Sequence, residues 1–293
     1  MDWTKAKNIL IVAFLATNLF LMVMLYGGQQ AKESSAISDE YVAQTIQFLE
    51  EQNIELRAEL PLEAPSLSSV TVEYHFFSPR EMAEKLLGED LIRLDMSTYE
   101  NDSGSRVTVL EEKILIYQNN EQERVLTNFD EEKLVKMADD FLRTHDLDPE
   151  SLRLEQIYFG VEPEYQEDPL HKLVYQQTYQ ERFIGESYVN IYIGSRGIVA
   201  VEALLLENMR SIGEGATGHT MISAPEALLR TVKQIQDHHS SNGSTIIKEV
   251  RPGYYFPLTR QIIAEGDPIE SGTAVPAWKI VLKDGKTFYQ EAF

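Results

Sequence analysis

Residues Ile9 to Tyr26 form an apolar run of 18 residues, interrupted only by Thr17 and Asn18. A helix of that length covers about 27 Å, close to the hydrocarbon thickness of a bilayer. The run therefore predicts a transmembrane helix over residues 9–27. A cleaved signal peptide has a shorter apolar region, about 7–15 residues, that ends in small residues at the cleavage site. Here the run leads into Tyr26-Gly27-Gly28-Gln29-Gln30-Ala31, a poor cleavage site, so an uncleaved anchor is expected. Lys5, Lys7 and the α-amino group precede the run, whereas Lys32, Glu33, Asp39 and Glu40 follow it. The positive-inside bias then places residues 1–8 in the cytoplasm and everything after about residue 28 outside. Trp3, with Lys5 and Lys7, reads as the anchor at the membrane interface.

Within the run, an Asn in mid-bilayer is costly unless another helix satisfies it. Ala13 and Thr17 form a small-xxx-small pair that permits close helix approach. Ala13, Thr17 and Asn18 are thus the candidate transmembrane interaction site.

The remainder has the composition of a folded, water-exposed protein. Net charge is −21, and residues 1–30 carry Asp2, Lys5 and Lys7, a net +1, which leaves −22 for the rest. So acidic a surface does not bind nucleic acid or anionic lipid. There is no cysteine, so disulfides, zinc-thiolate sites and thiol nucleophiles are excluded. About 260 residues follow the anchor, enough for one large or two ordinary cores.

Residues 28–37 are small and polar and read as a linker. Ser38 is placed to cap a helix to about Asn53, with Tyr41, Val42, Thr45, Phe48 and Leu49 on its buried face. Val70–Phe77 reads as a strand, and Ser78-Pro79-Arg80-Glu81 as a capping box opening a short helix. Val107–Leu110 and Ile114–Gln118 are strands, with Glu123–Thr127 pairing back after Asn119-Asn120. A helix begins at Asp130, its apolar stripe being Leu134, Val135, Ala138, Phe141 and Leu142. Leu173–Gln180 is a strand. Tyr188–Ile193 and Ile198–Leu206 form a hairpin, with Val189, Ile191 and Ile193 on one face. Ser223-Ala224-Pro225-Glu226 is a second capping box, before a helix to about His238. Tyr254–Leu258 is extended, and Trp278–Lys283 with Lys286–Ala292 form a hairpin on an Asp-Gly type I′ turn. Tyr254, Tyr255 and Phe256 are taken as core. The order of helix then antiparallel hairpin argues α+β, in units repeated around residues 130–206 and 224–292. The expected division is a first extracytoplasmic domain over 38–127 and a second over 128–293.

Chemistry is hard to place. GEGATG at 213–218 matches G-x-G-x-x-G, but the strand before it belongs to a hairpin and the next helix starts about five residues later, whereas a dinucleotide loop opens its helix directly within a parallel βαβ unit. His238-His239 has no third ligand at a telling distance. Adjacent carboxylates such as Glu111-Glu112 and Asp139-Asp140 point to different sides of an element, which does not suit a glycosidase pair. Neither G-x-S-x-G nor S-x-x-K occurs. No catalytic residue, metal or cofactor is expected.

The opening MDWTKAKNILIVAFLATNLFL resembles the start of the YycI (WalI) family: Met1, an acidic Asp2, Trp3, alternating Lys5 and Lys7, an apolar helix, and Asn18 within it. The closing PAWKIVLKDGKTFY (276–289) is similar to that family's final hairpin and to PepSY-type hairpins. The resemblance implies a non-enzymatic membrane regulator in low-GC Gram-positive bacteria. Such proteins act on the sensor histidine kinase WalK (YycG) of the WalK–WalR system and pair with a YycH protein through the ectodomain. The competing expectations are a tethered PepSY-like peptidase inhibitor or chaperone, and an anchored envelope hydrolase for which no catalytic constellation is found.

Overall fold

The computed structural model describes residues 14, 17–18, 37–121, 126, 129–147, 151–160, 169–212, 219–238, 245–256 and 271–293. The chain divides into two compact units. One takes Met1–Pro65, Thr220–Val250 and Val281–Lys286; the other takes Ser66–His219, Arg251–Ile280 and Thr287–Phe293. Of the described residues, 14, 17 and 18 are helical, and the rest build four helices on a large amount of sheet, a mixed α+β protein.

The first unit holds helices α1 (Asp39–Glu51) and α4 (Ala224–His238), strand β1 (Ile54–Leu56), and the parts of β14 (Thr245–Tyr255) and β15 (Ser271–Leu282) up to Val250 and from Val281. Ser38 caps α1 as expected, its hydroxyl accepting from the Tyr41 N–H at 3.2 Å. Only Thr45 and Leu49 of the expected face are buried; Tyr41 and Phe48 are exposed. The helix packs mainly against α4 and β1, so a narrow i, i+4 line is covered and the flanking rings are not. β1 lies parallel to β14, from Ile54↔Thr245 to Leu56↔Ile247. Ser223 caps α4 by accepting from the Glu226 N–H at 3.3 Å, and Leu228, Val232 and Ile235 form its buried stripe.

The Asp284-Gly285 turn departs from expectation. Gly285 has φ +93° but Asp284 is not in the left-handed region, so the turn is not type I′. The Gly285 N–H donates to Leu282 O and the Leu282 N–H to Lys286 O. This is a three-residue loop, a type I turn closed by a left-handed glycine.

The second unit carries α2 (Pro79–Leu87), α3 (Glu131–Thr144) and most of the strands. These are β3 (Val70–Tyr74), β4 (Ile92–Arg93), β5 (Thr98–Glu100), β6 (Arg106–Leu110), β7 (Ile114–Gln118), β8 (Leu152–Gly160), β9 (Leu170–Tyr179), β10 (Arg182–Gly194), β11 (Gly197–Leu204), β12 (Leu206–Ser211) and β16 (Thr287–Glu291). Two-residue strands β2 (Ser66–Leu67) and β13 (His219–Thr220) complete the set. The main ladder runs β12-β3-β15-β14-β10-β11-β7-β6-β5-β4, with β9 also on β10 and β8 on β9. β7 pairs with β11 from Ile114↔Leu204 to Gln118↔Ala200, which joins residues from either side of 127/128 in one ladder. Glu123–Thr127 lies outside the described residues as a strand.

Not every pairing is antiparallel. β10 bulges between Phe183 and Tyr188, which frees Ile184 and Gly185 from β9 to pair parallel with Tyr254 and Tyr255 of β14. The helices lie on one apolar cluster. Leu134, Ala138 and Leu142 of α3 and Met82 and Ala83 of α2 meet Val107, Leu115, Leu173, Val189, Ile191, Ile193 and Val201. Val135 and Phe141 pack at its margin. Pro79 opens α2, yet Ser78 makes no side-chain cap bond. The fixed φ of Pro79 and the Met82 N–H bond to Ser78 O close the first turn without it.

Candidate functional site

Of the residues singled out for the membrane, Trp3, Lys5, Lys7 and Ala13 lie outside the described residues, as do most of 9–27. Phe14, Thr17 and Asn18 are helical and exposed. The Asn18 side-chain amide donates to Phe14 O, four residues earlier, at 2.9 Å. Its own helix thus takes one of the two amide N–H donors. Among the described residues no helix is long and apolar enough to cross a membrane.

The most unusual chemistry of the second unit was not foreseen. Lys279 stands in β15, where its neighbours Ala277, Trp278, Ile280 and Val281 are all buried, and its own side chain is 8% exposed. Its ammonium donates to Glu155 on β8 at 3.1 Å and to the Gln176 carbonyl on β9 at 2.6 Å. The Arg251 guanidinium, from β14, bonds the same Glu155 oxygen. Gln176 extends the network, donating to Ile184 O at 3.1 Å and to the Tyr289 hydroxyl at 3.4 Å. Phe183 lies beneath both cations, 5.6 Å from the Lys279 ammonium and 5.5 Å from the Arg251 guanidinium carbon. Burial pushes the Glu155 carboxyl up. The Arg251 hydrogen bond and the charges of Lys279 and Arg251 outweigh that and hold it below the usual carboxylate range.

Small residues make room for the rings. A Cβ on Gly253 would come within 2.5 Å of the Phe183 ring. One on Gly185 would come within 2.7 Å of Tyr289, which stacks on Tyr255 at 4.7 Å. Tyr254 and Phe256 are buried, as expected, and Tyr255 is half-buried in this stack. Glu155 is held ionised by two cations. The arrangement supplies a fixed cluster of charge that joins β8, β9, β14 and β15. The signal for it in the sequence was a single Lys in an otherwise apolar strand, Val275 to Leu282.

The remaining sequence candidates stay apart. Asp139 accepts from the Tyr175 hydroxyl at 2.8 Å, while Asp140 accepts from Arg143 at 3.1 Å, so the adjacent carboxylates do diverge. His238 meets Asp284 at 3.2 Å. GEGATG and His239 lie outside the described residues. Among the described residues no three metal-ligating side chains converge.

Two edges end the main ladder. β12 is broken by a bulge at Asn208, φ +51°, and its Glu207 is paired with His75 at 2.9 Å. β4 and the residues after it carry Ile92, Leu94 and Met96, all exposed.

The fold and this arrangement define a mixed α+β protein whose most elaborate polar site is structural in character. The chain belongs to the YycI family: the model described as YycI protein matches residues 32–293. YycI is a family of regulatory proteins, associated with regulation of the YycH and WalK system. Among solved structures, an uncharacterized protein from Eubacterium rectale ATCC 33656 is similar at a TM-score of 0.50 and 11% identity, covering 82% of this chain and 88% of that one. YycH from Bacillus subtilis is similar at a TM-score of 0.44 and 11% identity, covering 78% of this chain and 56% of that one. No curated protein matches the sequence significantly.

Proposed function

We propose that this chain is a single-pass membrane protein that tunes a sensor histidine kinase of the WalK (YycG) type without catalysing a reaction. In this reading its extracytoplasmic region works in complex with a YycH-like protein. The observation that carries the proposal is family membership over residues 32–293. The apolar run at 9–26, directly before that region, and the lysines preceding it support an anchor with its N-terminus in the cytoplasm. Trp3, Lys5 and Lys7 hold the interface. Ala13 and Thr17 let a kinase helix approach, and the Asn18 oxygen accepts a hydrogen bond from it. Such a contact shifts signalling only if it differs between the kinase's two states.

The test is affinity purification of the tagged full chain from mild-detergent membranes. It runs beside a version with residues 9–26 replaced by polyleucine and beside Asn18→Leu. A kinase and a YycH-like protein recovered with the native chain, with the kinase lost from the polyleucine version and reduced by Asn18→Leu, is the expected result. A peptidase recovered equally by all three would instead favour a tethered inhibitor or chaperone.

A further inference from the structure

Lys113 is a second buried lysine of the second unit, and unlike Lys279 it meets no carboxylate among the described residues. It follows Glu111 and Glu112, which turn β6 into β7 with φ +49° and +58°. Consecutive left-handed residues without glycine are uncommon and cost about 1 kcal/mol or more each. The turn is fixed by the Phe77 N–H donating to Glu112 O at 2.7 Å. It sets Lys113, 8% exposed, against the end of β3. There the ammonium lies 4.7 Å from the centre of the Tyr74 ring and 5.9 Å from that of Phe76. Among the described residues no carboxylate pairs with it and no oxygen accepts from it.

The Tyr74 ring carries a second unanswered donor. Tyr74 is 2% exposed, packed against Phe256 at 5.3 Å, and its hydroxyl has no hydrogen-bond partner among the described residues. Burial, then the charges of Glu186 and Glu111, push that hydroxyl up to about 12, so it keeps its proton at neutral pH. The faces of Tyr74 and Phe76 are what the ammonium meets on its protein side. A buried hydroxyl without a partner is costly to leave unanswered. The ammonium lies over the ring face and the hydroxyl on its rim, and among the described residues neither donates a hydrogen bond.

We propose that Lys113 and the Tyr74 hydroxyl form a binding site for a carboxylate, one oxygen taken by the ammonium and the other by the hydroxyl. Phe76, 39% exposed, lies 5.9 Å from that ammonium. The carboxylate belongs either to an acidic side chain of a bound protein or to a small free acid. The site stands on its own geometry and does not depend on the regulator reading.

The experiment is thermal unfolding of the full chain in detergent at pH 7 and constant ionic strength. Two probes are titrated separately: sodium acetate replacing sodium chloride, and the peptide acetyl-Gly-Gly-Glu-Gly-Gly-amide against its Gln counterpart. Expected is a melting temperature that rises with probe concentration, because a ligand held only by the folded state stabilises it. Lys113→Met abolishes the rise, and Tyr74→Phe weakens the apparent affinity about tenfold. A response to the Glu peptide but not to acetate identifies a protein side chain as the source; equal responses identify a small acid. No response to either probe overturns the site, as does a rise that Lys113→Met leaves in place. Tyr74→Phe removes only an unpartnered hydroxyl and keeps the fold even where Lys113→Met does not. An undiminished affinity in that variant overturns the site independently.

Discussion

The second unit contains two interiors built on opposite principles. Under α2 and α3 the contacts are apolar: Leu134, Ala138 and Leu142 against Val189, Ile191 and Val201. Around Phe183 the contacts are ionic: Glu155, Arg251 and Lys279, with Gln176 and Tyr289 closing the remaining bonds. The apolar interior loses stability by degrees, because neighbours relax partly into any space left. The ionic interior cannot relax in that way. Its pieces answer one another, and removing Glu155 takes an anion from two cations at once.

The largest effect is therefore expected from Glu155→Ala. Breaking a buried pair from one side costs about 3–5 kcal/mol, because an uncompensated charge stays behind. Lys279, 8% exposed, would keep its charge largely out of water. Chemical denaturation should show the midpoint falling by that amount at unchanged slope. A midpoint within about 0.5 kcal/mol of the native protein would mean that water reaches the cluster and that the two interiors do not differ in kind.

Leu142→Ala is the matched cut through the apolar interior. Leu142 is fully buried, and such truncations cost about 2–5 kcal/mol according to how far the site collapses. About 3 kcal/mol is expected here, since Ala138 one turn earlier already keeps that stretch of α3 small. A loss as large as that of Glu155→Ala would erase the contrast.

The two interiors also differ in how far they were legible. The stripe Leu134, Ala138, Leu142 and the alternation Val189, Ile191, Ile193 follow from helix and strand periods, because apolar burial is proportional to area and needs no particular partner. The caps at Ser38 and Ser223 were readable for the same local reason. The ionic cluster was not. Its members lie at 155, 176, 251 and 279, and only ladder pairing brings them together; no spacing along the chain encodes that. Turns were misread where composition misled. Asp284-Gly285 has the type I′ signature and does not form that turn. Gln180-Glu181 and Glu111-Glu112 lack it, yet both residues of each pair are left-handed. Phe48 and Tyr41 were placed inside because a helical period says which residues share a face, not how wide a neighbour covers it.

Acid should act on the ionic interior alone. Glu155 is held below the ordinary carboxyl value of 4.5. A group whose folded pKa is depressed contributes stability that is present above the unfolded value and is lost as pH falls through the folded one. The gap in unfolding midpoint between the native protein and Glu155→Gln should stay constant from pH 7 to about 5 and then narrow toward pH 3. Leu142→Ala should keep its gap across the same range. Parallel curves for the native protein and Glu155→Gln would show that the carboxyl does not gain its charge by folding.

The smallest effect is expected from the most extensive change. Replacing Glu155 by Leu together with Arg251 and Lys279 by Met removes every charge of the cluster at once. Buried ion pairs exchanged whole for apolar residues of similar volume are often neutral or up to about 1–4 kcal/mol stabilising, because desolvation offsets the attraction. Gln176 loses the Lys279 donor to its carbonyl but keeps its amide bonds to Ile184 and Tyr289. The triple variant should unfold within about 1 kcal/mol of the native protein although its first member alone costs several. Should the triple variant be as unstable as Glu155→Ala, the cluster contributes net attraction. In that case the two interiors hold the unit by comparable strength. If instead it is native-like in stability but loses the sharp unfolding transition, the charges serve to select one register of β8, β14 and β15 among several that an apolar interior would accept.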